Sequence, residues 1–131
     1  MISTKKEFTY RGKTIEELKK LSLKEFSKLL KSRSRRYVIR NSQEIEKFVK
    51  RAREKLERNK KIKTHKRDMI ILPELIGMNI QIHNGKEFAQ VEIIGEMIGH
   101  KLGDFVLTRS KVVHTKAGVG ATKGTKHQAK K

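Results

Sequence analysis

The segment from residue 79 to 93 constrains the fold most strongly, because apolar and polar residues alternate on both sides of Asn84-Gly85. Alternation with a period of two is typical of strands that bury one face. Asn-Gly is the preferred pair for a two-residue type I′ turn, in which both central residues have positive φ. The sequence therefore predicts a β-hairpin whose buried face carries five apolar residues: Ile80, Ile82, Ala89, Val91 and Ile93.

Two short helices are predicted near the N-terminus, after a short extended lead. Thr14 precedes Glu17 by three residues and Ser22 precedes Glu25 by three, which is the spacing of a capping box. Apolar residues follow each cap at steps of three to four, so each helix has one apolar stripe. The residues of these stripes are Ile15, Leu18, Leu21, Phe26, Leu29 and Leu30.

A basic break and a longer helix are predicted next. The break contains two serines and a cluster of cations at Lys31, Arg33, Arg35 and Arg36. Asn41 or Ser42 can then cap a helix in which apolar residues recur with a period of 3.6. These apolar residues are Ile45, Phe48, Val49, Ala52 and Leu56, and basic residues cover the remaining faces.

The rest of the chain alternates between short apolar runs and breaks. Residues 58–67 contain one apolar residue and predict a basic loop. The apolar run 69–72 ends at Pro73, which marks either the end of a strand or the entry to a helix. A last short strand is expected at 105–108. Three glycines spaced by four predict a folded connection with tight turns, at Gly95, Gly99 and Gly103.

These elements predict an α+β fold in which a small three-stranded sheet, built on the central Asn-Gly hairpin, packs against helices. We expect an N-terminal extension with short helices over residues 1–40 and an α+β core over 41–112. No acidic residue follows Asp104, and residues 113–131 are rich in Lys, Gly and Thr. Because such a segment cannot bury enough apolar surface to order itself, 113–131 is predicted to be a disordered basic tail.

The net charge limits the classes of partner. Thirty-three Lys and Arg against 14 Asp and Glu give a formal charge of +19, and a polyanion would relieve the resulting self-repulsion. No apolar run approaches the roughly 18 residues that span a bilayer, and the first residues lack the pattern of a signal peptide. We therefore expect a soluble cytoplasmic protein without a membrane partner. The absence of Cys excludes disulfides, thiolate nucleophiles and sulfur-ligated zinc.

Nucleic acid is the partner that the distribution of charge favours. Cations occur in four separated patches, which suits a large branched polyanion: 33–36, the outer faces of the longer helix, 58–67 and the tail. RNA is favoured over duplex DNA because no recognition helix is separable from its basic surroundings, and folded RNA is recognised mainly through shape and backbone. Charge alone leaves open a free-standing nucleic-acid chaperone or a duplex DNA-binding module.

Catalytic groups do not assemble in the sequence. The five histidines do not occur at metal-ligand spacing, and no serine has the context of a nucleophile elbow. His100 and Asp104 form the one close pair, and a surface histidine beside an acid is the simpler interpretation. We expect no enzymatic activity, no metal and no cofactor. An RNA-modifying enzyme stays open as an alternative, motivated only by this pair.

Two continuous stretches resemble a known family. HNGKEFAQVEIIGEMIGHKLGDFVLTR, residues 83–109, closely resembles the signature of the universal small-subunit ribosomal protein S-nineteen family, called protein fifteen in eukaryotes. RDMIILPELIGMNIQIHNGK, from Arg67, resembles the strand, Leu-Pro-Glu turn and hairpin of the same family. Residues 14–40 and the ending KVVHTKAGVGATKGTK resemble the archaeal and eukaryotic branch rather than the shorter bacterial form.

The resemblance implies a small α+β protein with a three-stranded sheet in the head of the small ribosomal subunit. It implies binding to the 3′ domain of small-subunit rRNA, with no DNA partner. It also implies a neighbouring protein of the S-thirteen family, and a C-terminal tail directed toward the decoding region and its tRNA.

Candidate RNA-binding residues come from the resemblance and from the basic patches. The hairpin tip 84–86, the His-Lys-Leu-Gly loop 100–103 and the basic pair 66–67 match positions of the family. The full set of predicted RNA-binding residues is Arg35, Arg36, Lys60, Lys61, Lys63, His65, Lys66, Arg67, Asn84, Gly85, Lys86, His100, Lys101, Gly103, Arg109, Lys111, His114, Lys116, Lys123 and Lys126.

Overall fold

Helices precede most of the strands in the computed structural model, which describes residues 7–112 together with 124 and 127. The architecture is α+β, as predicted. The strands and α-helices are β1 (Thr9–Tyr10), β2 (Lys13–Thr14), α1 (Ile15–Lys20), α2 (Leu23–Leu29), α3 (Ser32–Arg40), α4 (Ser42–Glu57), β3 (Ile62–Thr64), β4 (Asn79–His83) and β5 (Phe88–Glu92). Short 3-10 helices cover Pro73–Leu75, Gly95–Met97 and Leu102–Phe105.

The expected extended lead is a small hairpin. Strands β1 and β2 pair antiparallel, with Tyr10 opposite Lys13, so that Arg11 and Gly12 form a two-residue turn. Both turn residues have positive φ, 53° and 78°, as a type I′ turn requires. The hairpin leads directly into α1.

The two capping boxes are confirmed. The Glu17 carboxylate accepts from the Thr14 backbone N–H at 3.0 Å, and the Thr14 hydroxyl accepts from the Glu17 N–H. Ser22 and Glu25 form the same pair of bonds at the start of α2. Each box satisfies two backbone donors at a helix N-terminus, which is why these short helices begin where the sequence predicted.

The basic break predicted around residues 31–36 is wrong, because residues 32–36 belong to α3 and Lys31 is its N-cap residue. This helix buries Val38 and gives little apolar periodicity to detect. It is held to α2 by Arg35, whose guanidinium donates to the carbonyls of Ser27, Lys28 and Leu30 at 3.0–3.3 Å. The last carbonyls of a helix have no partner within the helix, so Arg35 stabilises the C-terminal end of α2.

Helix α4 is confirmed over the predicted range. Ile45, Val49 and Ala52 are buried on its inner face, whereas Leu56 is 51% exposed. Asn41 stands at the junction with α3, but its side-chain amide donates to the Tyr37 carbonyl at 3.0 Å rather than capping α4.

The predicted basic loop 58–67 contains a strand, which corrects that interpretation. Strand β3 pairs parallel to β4, with Ile62 opposite Ile80 and Thr64 opposite Ile82. Ile62 and Thr64 are buried and the intervening Lys63 is exposed, so the segment has the period of two of a half-buried strand. With β5 on the other side, the sheet order is β3-β4-β5 and β4 is central.

The predicted face of the main hairpin is confirmed, whereas the predicted turn is wrong. Strands β4 and β5 pair from Asn79 opposite Glu92 to His83 opposite Phe88, leaving a four-residue loop, 84–87. The register differs by two residues from that of a two-residue turn. Because side chains alternate with a period of two, the same residues face the core.

An Asx turn at Asn84 explains the longer loop. Its side-chain oxygen accepts from the N–H groups of Lys86 and Glu87 at 2.9 and 2.8 Å. Gly85 has φ +104°. Asn84 does not have positive φ, whereas a type I′ turn requires it at both central residues. The Asn-Gly pair therefore adopts a different turn from the one that its sequence favours.

The apolar run 69–72 is buried and lies against the glycine-rich segment. Ile71 donates to the His100 carbonyl at 2.8 Å and accepts from Gly99 at 3.1 Å. Pro73 is the first residue of a 3-10 helix, so of the two predicted alternatives it marks the start of a helix and not the end of a strand. The glycine-rich segment is the predicted folded connection, with its two 3-10 helices on either side of Gly99 at φ +82°. No strand occurs at 105–108, because Phe105 ends the second 3-10 helix.

The hydrophobic core is one cluster that both the helices and the sheet build. Leu18, Phe26 and Val38 from α1, α2 and α3 belong to the same cluster as Ile82 of β4. The predicted domain boundary at residue 40 stays a prediction, and the helices before it pack on this shared core. The predicted tail, 113–131, lies outside the continuously described residues.

We predict that Ile82→Asp prevents folding, because Ile82 is fully buried in the central strand. Burying a carboxylate there should lower the free energy of unfolding by about 4 kcal/mol or more, a large part of the stability of a small domain. Circular dichroism during thermal unfolding measures the effect. Gln81→Asp is the control on the opposite face of β4, and it should retain a cooperative transition. A folded Ile82→Asp variant would contradict the proposed core.

Candidate nucleic-acid interface

Helix α3 presents three arginines to one groove. Arg33, Arg36 and Arg40 stand three and four residues apart and therefore share one face of the helix. They line a groove of about 270 Å³ together with Lys101. We call it the basic groove, and its other lining residues are Ser34, Tyr37, Asn41, Asp68 and Ile70. Four cations and one carboxylate give the groove a strong positive charge.

The loop that holds Lys101 is fixed against the core. Ile70 forms an isolated antiparallel bridge with Lys101. The Asp104 carboxylate accepts from the Lys101 N–H at 3.1 Å and caps the 3-10 helix that follows. Lys101 is therefore held beside α3 by backbone contacts, and its exposed side chain extends the row of arginines.

Tyr37 and Asp68 form a polar pair within the basic groove. Burial, and after it the negative charge of the nearby Asp68 carboxylate, raise the pKa of Tyr37 to about 12. The hydroxyl is thus a neutral donor at physiological pH. The Asp68 carboxylate offsets part of the positive charge of the arginines.

The basic groove has the chemistry of a phosphate-binding site. A guanidinium offers a planar fork of N–H donors that can hold two phosphate oxygens at once. Three such groups on one helix face, with an ammonium opposite, can contact successive phosphates of one strand. The arrangement does not depend on base identity, which suits a folded RNA backbone.

A cluster of aromatic rings lies at one end of the sheet. The rings of His65 and His83 are 4.4 Å apart between centroids, and Phe88 meets both edge-on at 5.1 and 4.9 Å. The Lys63 ammonium lies 5.1 Å from the centroid of the Phe88 ring. The end of β3, the end of β4 and the start of β5 are thus brought together, with exposed cations around the exposed His65 ring and the half-buried rings of His83 and Phe88.

Arg67 joins this cluster to the glycine-rich segment. Its guanidinium donates to the carbonyls of His83 at 2.7 Å, Gly103 at 2.9 Å and Val106. A Cβ at Gly103 would lie 2.9 Å from the Arg67 carbonyl oxygen, so a side chain there would force the two segments apart. The structure therefore places Arg67 and Gly103 in a clasp that sets the hairpin tip against the 102–106 segment.

Two further predicted cations form contacts within the protein. Arg35 is bonded to the end of α2, as described above. The Lys66 ammonium pairs with the Glu44 carboxylate on α4. A hydrogen bond from Lys66 and its charge lower the pKa of Glu44.

The hairpin tip presents one of its three predicted residues outward. The Asn84 side-chain oxygen is engaged in its own turn, and the Gly85 N–H donates to His83 Nδ1 at 3.0 Å. Lys86 is exposed. Asn84 and Gly85 shape the loop that carries this cation.

The remaining predicted RNA-binding residues lie away from the basic groove and the ring cluster or outside the described part of the chain. Lys60 and Lys61 line a separate hollow with Asn79, at the end of the sheet away from the hairpin tip. Arg109 and Lys111 are exposed beyond Val106. Four predicted residues lie outside the described part of the chain: His114, Lys116, Lys123 and Lys126.

The His100 and Asp104 pair has no catalytic geometry. The His100 ring meets Phe105 edge-on at 5.9 Å, and the Asp104 carboxylate is bonded to the Lys101 N–H. Within residues 7–112, no group of three His, Cys, Asp or Glu side chains could hold a metal ion. In the same part of the chain, no helix has the length and apolar character to cross a membrane.

Several residues of these two surfaces are missing from the predicted RNA-binding residues, although Arg33 belongs to the predicted basic patch 33–36. Arg33, Tyr37 and Arg40 join the basic groove only because α3 is a helix, which the sequence did not predict. The spacing of the arginines was the available signal. His83 and Phe88 join the ring cluster through the pairing of β4 with β5, and their directly opposed positions follow from the observed register.

Comparison with known proteins identifies a family and a similar relative. Residues 36–114 match the family model described as Ribosomal protein S19. The chain is also 51% identical over 124 residues to a protein from Methanocella arvoryzae named Small ribosomal subunit protein uS19. That alignment covers 94% of this chain and 86% of the relative.

We predict that Arg67→Lys destabilises the chain in the absence of RNA. A single ammonium cannot reproduce the bonds to the carbonyls of His83, Gly103 and Val106. Leaving buried acceptors without donors should lower the free energy of unfolding by about 2 kcal/mol or more. Urea unfolding measures this loss. Arg36→Lys, on an exposed groove residue, should change stability by less than about 0.5 kcal/mol. Equal stability of the two variants would argue against the clasp.

We predict that Tyr37 titrates late and that Asp68 is part of the cause. The raised pKa means that the folding stability from neutral Tyr37 is complete below pH 10.0 and is lost as the pH rises through about 12. Ultraviolet absorbance of tyrosinate follows this in a Tyr10→Phe background, which leaves one tyrosine of the two. Asp68→Asn should move the pKa toward its ordinary value. An unchanged titration after Asp68→Asn would refute the pairing.

Proposed function

The chain belongs to the ribosomal protein S19 family, and from this premise we propose that it binds the 3′ domain of small-subunit rRNA in the subunit head. It is a component of the small ribosomal subunit in the cytoplasm, and its family is non-enzymatic. The function is structural: the folded core holds cations in fixed positions against RNA. Membership of this non-enzymatic family argues against an RNA-modifying activity. It also argues against a free-standing chaperone, because the family is a component of the small subunit.

The observation that carries the rRNA proposal is the basic groove. Arg33, Arg36 and Arg40 share a helix face and meet Lys101 from a different part of the chain. Basic residues that only solvate a surface need not come together in one groove from separate parts of the chain. We assign this groove to consecutive phosphates of one rRNA strand, because guanidinium groups bind phosphate oxygens in pairs.

A second contact surface is proposed at the ring cluster. Lys63, His65 and Lys86 are exposed around the hairpin tip. Cations there can bind phosphate, and the edge of the His65 ring can meet a base or a ribose. Lys60 and Lys61 in their separate hollow, and the exposed Arg109 and Lys111, are proposed as further contacts with RNA.

The internally bonded residues have a different role in this proposal. Arg35, Lys66 and Arg67 position the surfaces through contacts within the protein. Asn84, Gly85 and Gly103 shape the loops that carry the exposed cations. His100 and Lys101 belong to the loop that borders the basic groove.

Two more specific partners are inferred from the family resemblance. We propose that an S-thirteen family protein is a neighbour in the subunit head. We also propose that the tail is directed toward the decoding region and its tRNA. In the tail, His114, Lys116, Lys123 and Lys126 would supply donors to RNA.

Sedimentation of small subunits at increasing salt tests the proposed function. The intact chain should co-sediment with small subunits, and Arg33→Gln with Arg36→Gln and Arg40→Gln should be released at lower salt. Removing three phosphate contacts should also reduce the slope of log affinity against log salt for the isolated 3′ domain by about 2 to 3.

A variant with the same loss of charge supplies the control. Lys19→Gln with Lys20→Gln and Lys28→Gln changes exposed lysines outside both proposed surfaces. Its salt slope should stay near that of the intact chain. Equal slopes for the two triple variants would refute the assignment of the basic groove, and absence of the intact chain from small subunits would refute the proposed function.

A further inference from the structure

A second groove has the opposite charge. It lies between α2, α4 and the 72–74 segment and has a volume of about 440 Å³. We call it the acidic groove. Its apolar lining residues are Leu23, Ile45, Val49 and Leu72. Its charged lining residues are Glu46, Glu54, Glu57 and Glu74 with Lys50 and Arg53.

The carboxylates are concentrated there despite the charge of the chain. Four of the 14 acidic residues line this one groove, in a chain with 33 Lys and Arg. Arg53 is already paired with Glu74 at 2.6 Å. Three carboxylates then stand against the single cation of Lys50. Phosphate groups would be repelled from this groove, so it is unsuited to RNA.

Helix α4 supplies most of the charged residues of the acidic groove. Glu46, Glu54 and Glu57 recur at steps of eight and three, and they line the acidic groove. Lys47, Arg51 and other cations occupy positions outside that lining. Lys50 and Arg53 lie on the groove side of α4 as well, so three carboxylates and two cations of this helix line the groove.

An adjoining hollow extends the acidic groove toward α3. It has a volume of about 100 Å³ and shares Leu23 and Glu46 with the acidic groove. Ile39 lines it and is 60% exposed. An aliphatic side chain left this exposed beside a concave surface gives an apolar contact that a charged partner alone would not use.

We propose that the acidic groove and its adjoining hollow bind a Lys- and Arg-rich segment of a neighbouring protein in the small subunit. An aliphatic residue of that segment contacts Leu23 and Ile39, and its cations meet Glu46, Glu54 and Glu57. The assignment rests on the proposed function, which supplies the setting in which such proteins are adjacent. Charge complementarity selects a basic polypeptide over RNA.

A second copy of the chain fits the groove less well. In a symmetric dimer the same patch meets itself, and the carboxylates of one copy would face those of the other. Like charges opposed across an interface disfavour association. A basic segment of a different protein has no such repulsion.

Site-specific photocrosslinking in assembled subunits tests the assignment. A benzophenone amino acid replaces Lys50 at the centre of the groove, small subunits are purified by sedimentation, and the adduct is identified by mass spectrometry after illumination. The expected adduct is a Lys- and Arg-rich peptide of another small-subunit protein. An adduct with rRNA, with a second copy or with this chain itself would overturn the proposal, as would the lack of any adduct.

The sedimentation step separates this inference from the proposed function. A chain that sediments with small subunits but gives nucleotide adducts keeps the proposed function and overturns the assignment of the groove. A chain missing from small subunits overturns both. The two failures are therefore distinguished before illumination.

Charge reversal tests the role of the carboxylates in the same background. Glu54→Lys with Glu57→Lys should reduce the adduct yield about tenfold or more. Both positions lie near the C-terminal end of α4, where lysine is favourable to the helix, so unfolding of α4 would not explain the loss. Glu92→Lys with Glu96→Lys is the matched control on exposed residues outside the groove and should keep the yield. An unchanged yield in the groove variant would overturn the proposal.

Discussion

The burial of β4 is the interaction on which the rest of the structure depends. Ile80 and Ile82 are fully buried in this central strand, which pairs parallel with β3 on one side and antiparallel with β5 on the other. The pairing with β3 places Lys63 and His65 at the same end of the sheet as the hairpin tip. The pairing with β5 brings Phe88 opposite His83. The packing of this small core thus determines where the exposed cations lie relative to one another.

The arginines of this chain have two different roles. Arg35 and Arg67 donate to backbone carbonyls, where a guanidinium can satisfy several acceptors at once, and they join segments that the sheet does not connect. Arg33, Arg36 and Arg40 instead remain on an exposed helix face. The same residue type therefore serves as a structural link or as a contact for a partner, depending on whether carbonyl oxygens lie within reach of the side chain.

Local patterns predicted the elements that local interactions determine. The capping boxes at Thr14 and Ser22 fixed the starts of α1 and α2, and alternation fixed the buried face of the main hairpin. Strand β3 escaped prediction because its partner in the parallel pair lies 18 positions away, at Ile80 opposite Ile62. Helix α3 escaped because Val38 is its one buried residue within the described structure. The predicted site included Arg36 and Lys101 but not Arg33 and Arg40, since their convergence requires that helix.

The clasp at Arg67 shows why family resemblance alone does not separate contact residues from positioning residues. Its charge and its position beside Lys66 are equally consistent with binding phosphate, but its donors are occupied by three carbonyls from two segments. Holding the hairpin tip against the 102–106 segment before RNA arrives reduces the conformational entropy that binding must remove. An arginine bonded within the protein can therefore increase affinity for RNA, because the surfaces on either side are already in place.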